Sequence, residues 1–112
     1  MRCKLAVGLV LSAMLAASGQ AIAQPTAEKG EEMAARLCSR CHAVGRKGES
    51  PMGLAPTFRS LSKRYPVENL AESLAEGIVS GHPDMPVFVF EPAEIDAILL
   101  YLNSLTPAPK PK

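Results

Sequence analysis

The chain has 112 residues, of which 47% are hydrophobic, and a formal net charge of +1, which suits one small globular domain and leaves no room for a second. Two of its 12 Lys and Arg lie in the N-terminal leader, so the rest of the chain contains 10 Lys and Arg and 11 Asp and Glu. This balance of charge gives no support to nucleic-acid binding. There is no Trp, and there are only three Phe and two Tyr. The core is therefore thin, and domains of this size often need a disulfide, metal or large ligand.

Residues 1–23 have the pattern of a secretory signal peptide. Arg2 and Lys4 give a basic start, residues 5–17 form an apolar run, and small residues up to Ala23 mark a cleavage site. The apolar run is shorter than the roughly 20 residues that cross a bilayer, so a retained membrane anchor is the weaker interpretation. We expect export to the periplasm, an oxidising compartment.

A first helix is predicted from Thr26, which would cap it, through Leu37, with Glu28 near its positive end. Gly30 lies inside this helix, where a glycine costs on the order of 1 kcal/mol relative to alanine. Close approach of another element would account for Gly30, although helices also tolerate a glycine without such a reason.

A C-x-x-C-H motif follows this helix at Cys38-Ser39-Arg40-Cys41-His42, and it is the attachment signature of c-type haem. The two thiols would add across the two vinyl groups of the porphyrin, and the adjacent histidine would bind the iron. A haem also supplies a large apolar disc to a domain with a thin core. We therefore expect one covalent haem c with its iron, held by Cys38, Cys41 and His42.

Other sites use the same residue types, and a chance motif is a further alternative. A redox dithiol would place C-x-x-C at the start of a helix after a strand, whereas here the motif ends a helix. A zinc site would use Cys38, Cys41, His42 and His82, the four Cys and His outside the leader. Two of those ligands would be sequence neighbours and the fourth would stand alone, so haem is the favoured interpretation.

The middle of the chain is predicted to be a loop followed by helices. Residues 45–55 are rich in Gly, Pro and Ser and are predicted to form a surface loop, and residues 56–61 a short helical turn. After Pro66, residues 67–79 form a predicted amphipathic helix. Its apolar face carries Leu70, Leu74 and Ile78, and its acidic face, interpreted as solvated, carries Glu68, Glu72 and Glu76.

Met85 is the predicted second axial ligand of the iron. It lies in a loop with prolines on both sides, and a thioether opposite a histidine suits reversible electron transfer. The alternatives are a bis-histidine site that uses His82, ligation by Met52, and an open position, in which case Met85 would fill a gap in the core.

The last helix is predicted to begin at Pro92 and to end before Pro107. Its apolar stripe consists of Ile95, Ile98, Leu99, Leu102 and Leu105. Only residues 87–90 alternate briefly like a strand, so the domain over residues 24–106 is expected to be all-α. A Pro- and Lys-rich mobile tail is expected over residues 107–112.

The order of helix, CSRCH motif, Pro-containing loop, helix, Met loop and C-terminal helix resembles a small bacterial class I cytochrome c, over nearly all of residues 24–106. The resemblance implies a cytochrome c fold, with three to four helices wrapped around one covalently bound haem. In that family the first and last helices cross where a small residue faces an aromatic one, and Gly30 and Tyr101 match those positions. Pro56 matches the proline whose carbonyl orients the iron-bound histidine, and Pro51 is the competing match.

The resemblance also implies a function. It predicts a soluble monohaem protein that carries single electrons by Fe(II)/Fe(III) cycling, with His42 and Met85 as axial ligands and no substrate turnover of its own. The expected partners are redox proteins such as membrane oxidases, reductases or dehydrogenases. The competing functions are an open-site or bis-His haem protein, whether catalytic, gas-binding or part of a larger oxidoreductase, and a small zinc module.

Three further sets of residues complete the expected site. The apolar surround of the haem is expected to include Leu54, Phe58, Val87, Phe88 and Phe90. The candidates for binding the haem propionates are Arg59, Arg64 and Tyr65. Two cations just past the motif are interpreted as solvated loop charges, with steering of an acidic partner as the alternative, and these are Arg46 and Lys47.

Overall fold

The computed structural model describes residue 21 and residues 23–77 and 84–107. Most of the predicted signal peptide and most of the tail lie outside the described residues. So do His82 and the last two positions of the predicted amphipathic helix, Ile78 and Val79.

Four α-helices and one 3-10 turn make up the regular structure of the described residues, and none of these residues forms a strand. Residues 87–90, the one strand-like stretch of the sequence, are irregular. The prediction of an all-α domain is therefore confirmed. Within the described ranges, no helix is long and apolar enough to cross a membrane. The elements are α1 (Ala27–Leu37), α2 (Phe58–Leu61), the 3-10 turn (Val67–Asn69), α3 (Leu70–Glu76) and α4 (Pro92–Leu105).

Helix α1 begins where the sequence predicted. Thr26 has extended backbone angles, and its side-chain oxygen accepts a hydrogen bond of 3.2 Å from the Lys29 N–H, which satisfies one of the free donors of the first turn. The helix ends as Cys38 donates its N–H to the Ala34 carbonyl at 2.9 Å. Its last turn thus runs directly into the cysteine motif.

Helix α4 also matches its prediction, with Pro92 at the first helical position. Glu91 and Glu94 form a capping box, in which the Glu91 N–H donates to the Glu94 carboxylate at 3.0 Å. One face of the helix is buried against α1 and α3, as the apolar stripe required. The buried residues are Ile95, Ala97, Ile98, Tyr101, Leu102 and Leu105.

The predicted helix over residues 67–79 is shorter than expected. It opens with the 3-10 turn, and α3 ends at Glu76 because Gly77 has φ +91° and ψ 132°, which no α-helix contains. The two faces are nevertheless as predicted. Leu70 and Leu74 are half-buried, and the acidic face of Glu68, Glu72 and Glu76 is exposed.

The crossing of α1 and α4 explains the glycine inside α1. A Cβ atom added to Gly30 would overlap the Ala97 carbonyl group, lying 2.6 Å from its carbon, and would lie 2.8 Å from Tyr101 Cβ. Real Cβ atoms do not approach other heavy atoms so closely, so only glycine permits the two helices to cross at this distance. The predicted juxtaposition of Gly30 with Tyr101 is present, and the tightest contact is with the backbone of Ala97.

Candidate cofactor site

An apolar cavity lies between the four helices and the irregular segment before α4. Its empty volume is about 770 Å³, a figure that includes space open to solvent. Most of the lining is aliphatic and aromatic. The lining residues are Met33, Ala34, Leu37, Cys38, His42, Pro56, Phe58, Leu61, Tyr65, Leu70, Leu74, Met85, Phe88, Phe90, Ile98 and Leu102.

The cysteine motif forms a tight turn at the end of α1. The Cys38 carbonyl accepts from the N–H groups of Cys41, at 3.1 Å, and of His42, at 2.9 Å. Cys38 and His42 line the cavity, and Cys41 is half-buried next to them in the turn. The turn therefore presents one thiol and the imidazole to the same apolar space.

No disulfide joins Cys38 and Cys41, and the environment of Cys38 does not suit a redox dithiol. Burial raises the pKa of the Cys38 thiol, and the charge of Cys41 raises it further. Reactive dithiols instead require a lowered pKa, because the thiolate is the nucleophile. The structure also places the motif at the end of a helix in an all-α fold, as the sequence indicated.

The imidazole of His42 is held by two contacts. Its Nδ1 lies 2.7 Å from the Pro56 carbonyl oxygen, and its ring packs against the Phe58 ring at 5.3 Å between centroids. Because a carbonyl oxygen only accepts, Nδ1 carries the proton and Nε2 keeps its lone pair for a metal. A bond of this kind fixes the tautomer and the orientation of a metal-binding histidine.

The segment after the motif is attached to the C-terminal end of α4. The Tyr101 hydroxyl donates to the Val44 carbonyl at 2.7 Å, and Arg46 donates to the Ser104 carbonyl at 2.8 Å. Burial raises the pKa of the Tyr101 hydroxyl, which keeps it protonated as the donor. The sequence analysis missed both attachments, and Arg46 is bound to α4 rather than being only a solvated loop charge.

Met85 reaches the cavity from a segment that we call the strap, residues 84–90. Met85, Phe88 and Phe90 line the cavity, whereas Val87 and Val89 point outward and are 56% and 70% exposed. Met85 and His42 therefore share one apolar space. Met52 is 38% exposed and is not part of the lining, so Met85, and not Met52, lines the cavity that His42 lines.

The prediction that five residues form the apolar surround of the haem is wrong for two of them. Leu54 is 97% exposed because it lies in the surface loop, away from the helices, and Val87 is exposed because it points outward where its strap neighbours point inward. The other three expected members, Phe58, Phe88 and Phe90, do line the cavity.

The three candidates for binding propionates differ in position. Arg64 is exposed, and Tyr65 lines the cavity. Arg59 donates from Nη2 to the Gly48 carbonyl at 2.7 Å, and its Nη1 is buried with no hydrogen-bond partner among the described residues. A buried N–H without an acceptor is costly, so Nη1 can still donate to an anionic group, although Arg59 is not among the residues that line the cavity.

These residues fit a haem better than a lone metal ion. Within the described ranges, no three His, Cys, Asp or Glu side chains gather as a metal site would require. An apolar cavity with a cysteine, an oriented histidine and a methionine in its wall matches an apolar disc with a central iron.

Comparison with known protein families places the chain within one of them. A family model described as Cytochrome c matches residues 27–106, a range that holds the cysteine motif, the strap and all four helices. No curated protein and no solved structure matches the chain.

Proposed function

The chain belongs to the cytochrome c family, and from this we propose that it is a soluble class I monohaem protein that carries single electrons between redox proteins. Its cofactor is covalently bound haem c with iron, as the family requires. One observation carries the proposal: the imidazole of His42 and the thioether of Met85 line the same apolar cavity. The order of the two, histidine in an early motif and methionine in a late loop, supports the assignment to class I.

The haem iron, when bound, supplies one-electron Fe(II)/Fe(III) chemistry. Cys38 and Cys41 would tether the group through thioethers, and His42 Nε2 and Met85 Sδ would be its axial ligands. A thioether ligand and apolar walls favour the less charged ferrous state and raise the reduction potential. The hydrogen bond from His42 to Pro56 would hold the imidazole in one orientation toward the iron.

This arrangement suits an electron carrier better than an enzyme. With His42 and Met85 both bound, the protein leaves no open position for a substrate or gas. The apolar lining of the cavity would also limit the access of water to the iron. We propose that the protein acts in the periplasm, and this location rests on the leader alone.

A visible spectrum and an extraction experiment test the proposal. The purified protein is expected to be coloured, with a haem band that remains with the protein in acidified organic solvent, because Cys38 and Cys41 hold the group covalently. The double variant Cys38→Ala/Cys41→Ala is expected to release its haem into the solvent. Ser39→Ala, which changes the motif but keeps both cysteines, is the matched control and should behave like the wild type. A colourless protein that contains zinc would overturn the proposal.

Charge suggests which partners the protein meets. Residues 36–64 contain seven Lys and Arg and one acidic residue, whereas residues 65–107 contain seven acidic residues and no Lys or Arg. The segment that carries the cysteine motif is thus strongly basic. Its exposed cations are Arg36, Arg40, Arg46, Lys47, Lys63 and Arg64. We propose that this segment docks on acidic surfaces of membrane oxidases, reductases or dehydrogenases.

We expect electron exchange with an acidic redox partner to slow as ionic strength rises, because salt screens the steering of exposed charges. Lys47→Gln should lower the second-order rate at low salt, by roughly two-fold to three-fold. Lys110→Gln removes one charge outside the basic segment and is the matched control. A rate that is independent of salt, or an equal effect of the two variants, would contradict steering by this segment. Stopped-flow kinetics measures the salt dependence of the rate and the effect of each variant on it.

A further inference from the structure

The strap crosses directly over the glycine that ends α3. A Cβ atom added to Gly77 would lie 2.6 Å from Val87 Cγ1 and 3.6 Å from the Phe88 carbonyl oxygen. Gly77 also has φ +91°, a backbone conformation that side-chain-bearing residues rarely adopt. Two separate features of this position therefore require glycine, and one of them is contact with the strap.

The strap has a second attachment to the same helix. The Phe90 N–H donates to the Leu74 carbonyl at 3.1 Å, near the C-terminal end of α3. Within the strap, the rings of Phe88 and Phe90 stack at 5.8 Å on the cavity side. The strap is thus held on the end of α3 at residues 87 and 90, and Met85 lies two residues before the first of these points.

We propose that Gly77 is a positioning residue for the second axial ligand. Because Gly77 has no side chain, Val87 can rest on its backbone, and this contact sets how far Met85 extends into the cavity. The outward orientation of Val87, which the haem itself does not explain, follows from this role. The inference rests on the proposed ligation by Met85.

A methyl group at position 77 would force the strap outward. Val87 is β-branched, so its side chain has few rotamers with which to avoid the added Cβ, and the Phe88 carbonyl behind it is backbone. The strap would therefore move away from α3 at residues 87 and 88, and Met85 would be detached from the iron for a larger fraction of the time. The fraction of molecules with an open axial position would increase.

Imidazole titration of the purified ferric holoprotein measures that fraction. Added imidazole binds only molecules with an open position, so its apparent Kd falls in proportion as that fraction rises. Gly77→Ala is expected to tighten the apparent affinity for imidazole roughly ten-fold. A change of this size corresponds to the strain energy expected from one crowded residue in an unfavourable backbone conformation. It should also weaken the absorption near the red end of the visible range and lower the reduction potential.

A double-mutant cycle separates positioning from backbone strain. Val87→Ala alone, which changes a half-exposed side chain and should fold, is expected to loosen the strap and tighten imidazole binding roughly three-fold. In Gly77→Ala/Val87→Ala, the new methyl group occupies the space left by Val87, so imidazole affinity should return close to that of the wild type. The lowered unfolding midpoint from the positive φ should remain in the double variant.

Gly48→Ala is the matched control for strain. Gly48 has φ +88°, and a Cβ added there meets no atom within 4 Å. This variant should lower the unfolding midpoint and leave imidazole affinity unchanged.

Two outcomes would overturn the positioning role. In one, Gly77→Ala lowers stability but changes neither imidazole affinity nor the red absorption. In the other, Val87→Ala does not restore the double variant. If instead the wild type lacks the red absorption and Met85→Ala changes nothing, the proposed ligation fails first and the positioning role falls with it.

Discussion

Replacing Met85 with alanine is expected to abolish the weak absorption near the red end of the visible range and to lower the reduction potential by on the order of 0.2 V. Axial ligands set haem potentials over a span of roughly 0.8 V, and loss of a thioether removes the ligand that favours the ferrous state. The alanine also leaves a gap in an apolar wall that Met85 now lines. Optical spectroscopy and a redox titration of the purified variant measure both effects.

Met52→Ala is the matched control for that experiment. Met52 is exposed and lies outside the cavity lining, so its loss should leave the red absorption and the potential unchanged. An unchanged spectrum for Met85→Ala would show that Met85 is not a ligand. A change in the visible spectrum and the potential of His82→Ala would then favour the bis-histidine alternative, and no response in either variant would favour an open site with catalytic or gas-binding function.

Gly30→Ala is expected to destabilise the protein by about 2–4 kcal/mol, although the same change in an isolated helix would stabilise it by about 1 kcal/mol. The added methyl group would overlap the Ala97 carbonyl, and a backbone carbonyl cannot rotate away as a side chain can. The two helices must separate, and overpacked cores lose stability on this scale. Denaturant unfolding of the holoprotein, followed by circular dichroism, gives the free energy of unfolding.

Gly53→Ala is the matched control, because a Cβ at position 53 meets no atom within 4 Å. Its effect should stay within about 0.5 kcal/mol. If Gly30→Ala proved as stable as the wild type, the close crossing of α1 and α4 would be contradicted.

Much of the fold was predictable because its determinants are local. Thr26, Pro92 and the apolar stripe of α4 are sequence signals for helix ends and buried faces, and all three act as predicted. The cysteine motif could be identified from the sequence for the same reason, since five adjacent residues define it. The length of α3 was not predictable from periodicity, because its end depends on the backbone conformation of Gly77.

The contacts that complete the site join residues far apart in the sequence, and no local pattern marks them. The bonds from Tyr101 to Val44 and from Arg46 to Ser104 link positions that only the folded chain brings together. The choice of Pro56 over Pro51 likewise needed the observed bond to His42. Leu54 and Val87 were misassigned because hydrophobic character alone does not say which way a loop residue points.

The crossing of α1 and α4 has a consequence for how the protein is made. It joins Gly30 to Ala97 and Tyr101, near opposite ends of the domain, so neither helix has its main partner until almost the whole chain is present. Closing the intervening chain costs entropy, and contacts so distant in sequence slow folding. We therefore expect α1, which leads directly into Cys38 and Cys41, to lack its main packing surface in a nascent chain until α4 has been made.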